Sequence, residues 1–131
     1  MKEMIYSPKR EREILVHDVF DGVEFYIVSL GSHPCAYVRV PEKCRQIVES
    51  EIEHFDLNCH GGITYVGDGN LPWGKFPGFW IGWDYAHAGD YTALPEGYPE
   101  DDGHKWTTTE ILNEIKEFVT EMLALCGREE K

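Results

Sequence analysis

The sequence predicts an α+β domain, an antiparallel sheet of about five short strands with one internal helix and one C-terminal helix packed on it. Three observations support this: residues 14–40 form strand-like apolar segments separated by tight turns, the spacing then becomes helical, and the C-terminal residues form a strong amphipathic stripe. At 131 residues one domain is expected, with residues 1–13 as a charged N-terminal arm and residues 14–131 as the α+β domain.

The N-terminal part is expected to form a three-stranded meander. Residues 14–20 and 23–30 are separated by Asp-Gly, a pair that readily adopts the positive φ angles of a type I′ hairpin turn. Residues 31–34, Gly-Ser-His-Pro, form a second turn, and residues 35–40 form the third strand.

The spacing becomes helical after Pro41. Apolar residues then recur every three to four positions, which predicts one helix with a proline in its first turn and an apolar face of Cys44, Ile47, Val48, Ile52 and Phe55. Two more short strands are expected at residues 63–66 and 79–84, joined by a Gly/Pro/Asn loop. Residues 85–105 have no periodicity and predict a long ordered loop, a kind of segment that is often functional in a compact domain.

The last helix carries the clearest local signals. Thr107 and Glu110 have the spacing of a capping box, and Trp106 and Ile111 that of a hydrophobic staple. Gly127 is expected to end the helix. The stripe that should pack on the sheet consists of Ile111, Leu112, Ile115, Phe118, Val119, Met122 and Leu123.

The net charge of −12 is concentrated in the middle of the chain. Residues 46–104 hold eleven acidic side chains and one basic side chain, Lys75, and so supply −10 of the total. This field repels phosphates, so no direct nucleic-acid binding is expected. It would suit a cationic protein partner, a metal ion or simple solubility.

No apolar run reaches the roughly 20 residues of a membrane span, and the N-terminus lacks the apolar stretch of a signal peptide. These absences predict a cytosolic protein with no membrane partner. The four cysteines, Cys35, Cys44, Cys59 and Cys126, have no CxxC spacing and are expected to be reduced and mostly buried. The alternative is a Cys/His zinc site that includes Cys59 and His60.

Two segments, residues 59–64 and 79–90, contain most of the side chains able to bind a ligand. Alternation along residues 79–83 places Trp80 and Gly82 on one face of the strand, where a flat ring could approach the glycine. Aromatic walls with a few convergent polar groups are typical of a small-ligand pocket or a protein interface. The predicted ligand-binding residues are His60, Gly61, Gly62, Trp80, Trp83, Asp84, Tyr85, His87 and Asp90.

The polar members of this set leave three interpretations open. His60, Asp84, His87 and Asp90 could converge on a divalent cation such as zinc, manganese or iron. Without a metal, Asp84 could orient His87 as a general base, which makes these two the candidate catalytic residues. The same side chains could also form a polar network that only shapes the loop.

Residues 60–64, His-Gly-Gly-Ile-Thr, and residues 81–90, Ile-Gly-Trp-Asp-Tyr-Ala-His-Ala-Gly-Asp, together resemble motifs of a family of small bacteriophage and prophage proteins. Trp106 and the C-terminal helix match the end of that pattern, so the resemblance covers about residues 35–126. It implies phage origin and an accessory role in the host bacterial cytosol. Small accessory phage proteins often counter host defences, by sequestering a nucleotide signal or by blocking an effector protein.

The favoured hypothesis is therefore a counter-defence protein that binds a small, nucleotide-like ligand in the aromatic and His/Asp pocket. Binding is favoured over catalysis, and no cofactor is assigned. One alternative is a metal-dependent hydrolase that uses His60, Asp84, His87 and Asp90. Another is an acidic inhibitor of a nucleic-acid-binding host protein. An exposed aromatic patch tends to be covered, which is compatible with a homodimer.

Overall fold

A computed structural model describes residues 2–7, 12–53, 55, 60–71, 73–86, 90–93 and 103–129. It confirms the α+β prediction, because the described residues form a five-stranded antiparallel sheet, a two-stranded sheet and helices that include a long C-terminal one. The strands are β1 Glu13–Phe20, β2 Val23–Ser29, β3 Pro34–Val40, β4 Tyr65–Gly67, β5 Asn70–Leu71, β6 Gly74–Lys75 and β7 Phe79–Asp84.

The large sheet has the order β1-β2-β3-β7-β4. The predicted meander is present in β1 to β3, and the Asp-Gly turn has the expected positive φ angles, 51° at Asp21 and 82° at Gly22. The last strand, β7, pairs with β3 on one side and β4 on the other. The β5–β6 hairpin lies in the segment that was expected to be a loop, because its two-residue strands are too short to leave a periodic pattern.

The internal helix begins less regularly than the spacing predicts. Pro41 precedes a 3-10 turn, Glu42–Cys44, and the α-helix α1 covers Arg45–Ser50. No side chain caps α1, which is consistent with a tighter first turn that uses backbone hydrogen bonds instead.

The C-terminal helix α2 covers Thr108–Glu129. Its capping box is confirmed, since the Thr107 N–H donates to Glu110 Oε1 at 2.9 Å and the Glu110 N–H donates to Thr107 Oγ1 at 3.2 Å. The prediction that Gly127 ends the helix is wrong. Gly127 is not among the described glycines with positive φ, so it remains an interior residue and the helix runs two residues further.

The main core lies between α2 and one face of the sheet, which we call the first face. The predicted apolar stripe of α2 packs there, with Ile111, Ile115, Phe118, Val119 and Met122 buried and Leu112 and Leu123 partly buried. The core also takes Phe79, Ile81 and Trp83 from β7, which confirms the alternation expected for that strand.

A disulfide between Cys44 and Cys126 joins the 3-10 turn to the end of α2. The prediction of reduced thiols is therefore wrong for these two residues, because the packing of the helix brings together cysteines 82 positions apart in the chain. It is confirmed for Cys35, which is free and buried. Cys59 lies outside the described residues.

The opposite, second face of the sheet carries a separate apolar cluster. Its buried members are Tyr26, Val28, Cys35, Tyr37, Leu71 and Trp80, and Trp73 and Phe76 from the β5–β6 segment cover it. Gly69 permits this cover, since a side chain there would meet the Phe76 carbonyl oxygen at 1.7 Å and its φ is +89°.

Residues 2–7 of the N-terminal arm pack on the domain. The Lys2 N–H donates to the Leu15 carbonyl at 3.4 Å and the Tyr6 hydroxyl to the Trp106 carbonyl at 2.9 Å. The arm therefore connects the edge strand with the start of α2. Among the described residues, we find no helix that combines the length and the apolar character of a membrane span.

Thr107→Ala should lower the free energy of unfolding by about 1 kcal/mol, because the capping hydroxyl no longer accepts the Glu110 N–H. Thr109→Ala is the matched control, since Thr109 is an exposed threonine two residues further along the chain, inside α2. Urea unfolding of both variants provides the measurement. An equal effect of the two substitutions would contradict the assigned cap.

Replacing both Cys44 and Cys126 with alanine should cost about 2–5 kcal/mol of stability, because the bond closes a long loop in the unfolded chain. Urea unfolding with and without dithiothreitol tests this. The reductant should lower the midpoint of the native chain and leave that of the double variant unchanged. A native midpoint that ignores the reductant, with the bond verified as reduced, would exclude a stabilising disulfide.

Candidate functional site

The centre of the site is a pair formed by His60 and Asp90. His60 Nε2 lies 2.8 Å from Asp90 Oδ1 and 2.7 Å from Oδ2. The carboxylate accepts, so Nε2 carries the proton and donates. The side chain of Asp90 is 3% exposed and that of His60 is 22% exposed. A buried carboxylate thus fixes the orientation of an imidazole that still reaches the surface.

Trp106 completes the surroundings of this pair. Its Nε1 donates to Asp90 Oδ1 at 2.8 Å, so the carboxylate accepts from two side chains. The His60 ring stacks on Tyr85, with centroids 4.7 Å apart and planes 13° apart, and meets the Trp106 ring edge-on at 4.6 Å. We call His60, Tyr85, Asp90 and Trp106 the His60 site.

Backbone contacts hold Asp90 in place. It forms a parallel bridge with His104, and the Tyr91 N–H donates to the His104 carbonyl at 2.9 Å. Gly103 allows this approach, because a Cβ there would lie 2.5 Å from the carbonyl carbon of Asp90. The Ala93 N–H donates to the Ser32 carbonyl at 2.9 Å, which anchors the segment on the turn before β3.

The His-Gly-Gly motif positions His60 from the other side. Gly61 and Gly62 have φ angles of 67° and 92°, a conformation that side chains rarely adopt. The chain then returns to the sheet, where the Thr64 N–H donates to the Gly82 carbonyl at 2.9 Å. The glycine pair thus makes the bend that brings His60 beside the end of β7.

Below the imidazole, a chain of two hydrogen bonds connects β7 to α2. Trp83 Nε1 donates to the Tyr85 hydroxyl at 3.0 Å, and that hydroxyl donates to Glu114 Oε1 at 2.7 Å. Trp83 and Tyr85 are both fully buried. Trp83, predicted to bind ligand, therefore belongs to the support of the site, and Tyr85 supplies the ring on which His60 rests.

Asp84 does not join this site. It follows Trp83 in an alternating strand and is paired with Cys35, so its side chain belongs to the second face of the sheet. Its Oδ1 accepts the Ala86 N–H at 3.2 Å, which is a local turn contact. His87 lies outside the described residues, so the predicted pairing of Asp84 with His87 remains a prediction.

The four proposed metal ligands are therefore not assembled by their described members. His60 and Asp90 bond to each other, and Asp84 is on the opposite face. Within the described ranges, no group of three or more His, Cys, Asp or Glu side chains is arranged to hold a metal ion.

The space expected beside Trp80 is also occupied. A Cβ at Gly82 would lie 2.6 Å from the Tyr37 ring, so the flat ring that approaches this glycine is the protein's own. Trp80 is buried, and its Nε1 donates to the Pro77 carbonyl at 3.1 Å. Trp80 and Gly82 therefore belong to the second-face cluster and lie away from His60.

Four residues lie at the rim of the His60 site, Tyr6, Tyr91, His104 and Lys105, and of these Tyr6, His104 and Lys105 were not predicted to belong to it. The Tyr6 and Tyr91 rings meet edge-on at 5.2 Å, and Lys105 Nζ lies 4.5 Å from the centre of the Tyr91 ring. Burial, with a smaller contribution from the charge of Asp90, raises the pKa of Tyr6 to about 12 despite its hydrogen bond to the Trp106 backbone. Tyr6 is thus a neutral donor at physiological pH.

His104 connects the rim to the helix cap. Its Nε2 donates to Glu110 Oε2 at 2.8 Å. Burial alone would raise the pKa of Glu110, but hydrogen bonds from the Thr107 N–H and from His104 lower it on balance. The start of α2 is therefore coupled to the rim through an ionised carboxylate.

Comparison with protein-family models, curated proteins and solved structures finds no significant match to this chain. The resemblance to phage and prophage proteins therefore stays a prediction, and the candidate site is defined by its own geometry.

His60→Ala should destabilise the fold by about 3 kcal/mol, because it removes a donor from a buried carboxylate. His17→Ala is the matched control, since His17 makes the same kind of contact with Glu24 at 2.6 Å but its side chain is 47% exposed, and it should cost less than about 1 kcal/mol. Urea unfolding compares the two variants. Equal losses would contradict the special environment assigned to Asp90.

Proposed function

We propose that this chain is a bacteriophage or prophage accessory protein that binds a small, nucleotide-like ligand at the His60 site. The observation that carries the proposal is the fixed imidazole: Asp90 and two aromatic rings hold His60 in one orientation while part of it remains exposed. Oriented polar groups set among aromatic walls are the usual means by which a small-molecule site recognises its ligand.

The cost of burying the carboxylate supports this interpretation. A buried ion pair often stabilises a fold no better than apolar side chains of the same volume would. Asp90 nevertheless takes the place of such packing beside Tyr85, which is buried, and Trp106, which packs against the core. An imidazole held at the surface is the feature that apolar packing would not supply.

Residues at the rim of the His60 site support a nucleotide-like ligand. Tyr91 offers a ring on which a base could stack, and the ammonium group of Lys105 lies over one face of that ring. The bend at Gly61 and Gly62 has no side chains to keep a ligand from the backbone. Because the chain carries a net charge of −12, a ligand with one or two negative charges fits better than a triphosphate.

The biological role in the proposal comes from the resemblance to phage and prophage proteins. An acidic accessory protein that captures a nucleotide could remove a signal on which a host defence depends. This step is an analogy, and it supplies the choice of compounds for the first experiment.

A thermal-shift screen of mononucleotides, cyclic nucleotides and dinucleotides tests the proposal. A compound at about a hundredfold over its Kd should add about 2.7 kcal/mol to the stability of the native chain. Mass analysis of the ligand after incubation separates binding, which returns it unchanged, from hydrolysis. A panel in which no compound raises the midpoint would contradict the proposed ligand class.

Two variants locate the binding. Lys105→Ala should weaken it by about tenfold through loss of a charge-assisted contact, whereas Lys75→Ala, on the β5–β6 hairpin, should leave it unchanged. Both replace an exposed lysine with alanine, so general charge effects are matched. Equal weakening by the two variants would indicate attraction without a defined site.

A further inference from the structure

A cavity of about 390 Å³, which we call the β1 cavity, lies on the second face of the sheet beside the edge strand β1. Its volume is in the range of sites for small organic ligands. The described lining comes from the N-terminal arm, from the start of β1, from β2 and from the segment between β5 and β6, namely Lys2, Arg12, Glu13, Ile14, Val28 and Trp73. None of these residues belongs to the His60 site.

Three apolar side chains form the walls of the β1 cavity. Ile14 and Val28 are paired across β1 and β2, so both side chains stand on the second face. Val28 is buried, whereas Ile14 is 42% exposed and keeps apolar surface in contact with water. The Trp73 ring packs on the same cluster as Val28, with its centroid 4.9 Å from that of Tyr26. A flat ligand that lies against Trp73 would remove the Ile14 surface from water.

The charges at the rim of the β1 cavity are compensated within the protein. Lys2 Nζ bonds to Glu13 Oε1 at 2.7 Å, and both Arg12 and Glu13 make further interactions. Burial raises the pKa of Tyr37 on the same face, and the charge of Asp84 adds more to this rise than the charge of Arg12 takes from it. An ionic ligand would therefore lose its hydration without gaining a charged partner from the described lining. The cavity favours an uncharged ligand.

Trp73 brings a hydrogen-bond donor without an acceptor to this lining. Among the described residues, its Nε1 is one of two buried side-chain nitrogen or oxygen atoms that make no hydrogen bond. Burial raises the pKa of Tyr26 and an interaction with Trp73 opposes this, so the Tyr26 hydroxyl lies near the indole, but the two form no hydrogen bond of acceptable geometry. A buried N–H of this kind costs free energy that a ligand acceptor would return. Because Trp73 as a whole is only partly buried, a turn of its ring can present the N–H to the cavity.

We propose that the β1 cavity binds a small, uncharged aromatic compound with one carbonyl oxygen, its ring between Ile14 and Trp73 and its oxygen accepting the Trp73 indole N–H. Each part of this ligand corresponds to one feature of the cavity. The ring covers the exposed surface of Ile14, the oxygen satisfies the buried donor, and the absence of charge suits the compensated rim. This ligand is separate from the nucleotide-like ligand proposed for the His60 site, because the two sites have no described residue in common.

Titration of the native chain with acetophenone, followed by nitrogen–proton correlation NMR, tests the proposal. The indole N–H signal of Trp73, identified by its loss in Trp73→Phe, should move downfield and saturate, because a new hydrogen bond deshields the proton. The backbone amide signal of Ile14 should follow the same saturation curve. No saturable movement of either signal up to about 5 mM acetophenone overturns the proposal.

Two compounds of nearly the same shape test the chemistry of the ligand, with the Ile14 amide signal as the measure of occupancy. Ethylbenzene lacks the oxygen, and benzoate carries a charge. Each should bind about tenfold more weakly than acetophenone, because the first leaves the Trp73 N–H unsatisfied and the second must lose the hydration of its carboxylate. Binding of either compound as tightly as acetophenone overturns the proposal.

Variants of β1 establish where the aromatic ring binds. Ile14→Asn replaces an apolar wall of the cavity with an amide and should weaken acetophenone binding by about tenfold. Val19→Asn is the matched control, since Val19 is 58% exposed on the same face of the same strand and does not line the cavity, and it should leave the affinity unchanged. An unchanged affinity in Ile14→Asn, or an equal loss in the two variants, would assign the binding to another part of the molecule and overturn the proposal.

Discussion

A carboxylate removed from water is tolerated only where donors replace the lost hydration, and this constraint organises one end of the molecule. Asp90 meets it with two donors, His60 from the bend at Gly61 and Gly62, and Trp106 from the segment just before α2. The three segments are far apart in the chain and none is a regular element at that point. The hydrogen bonds of Asp90 to His60 and Trp106 therefore hold the three segments together. They fix Asp90 and Trp106, which lie near the two ends of the connection between β7 and α2.

The alternation of β7 divides the aromatic residues of the chain into two groups with different tasks. Trp83 faces α2 and, through Tyr85 and Glu114, supports the ring of His60 from below. Trp80 faces the other way and packs under the β5–β6 segment. The two apolar clusters consequently lie on opposite faces of the sheet.

The disulfide adds a constraint of another kind. It joins Cys44 to Cys126 and so secures the end of α2 to the short helical segment that follows β3. Disulfides are rare in a reducing cytosol, and the cytosolic location expected from the sequence stays a prediction. It also explains how a short, uncapped helix such as α1 is held on the sheet.

Local rules in the sequence determined the hairpin at Asp21 and Gly22, the alternation of residues 79–84 and the cap at Thr107, because each depends on neighbours within a few positions. The sequence also placed His60 and Asp90 in one candidate set, but only the tertiary structure paired them and put Asp84 on the opposite face. The disulfide, the contribution of Trp106 and the filling of the space at Gly82 by Tyr37 likewise needed the fold. The physical reason is that such contacts depend on which strand lies beside which, and no local spacing encodes this.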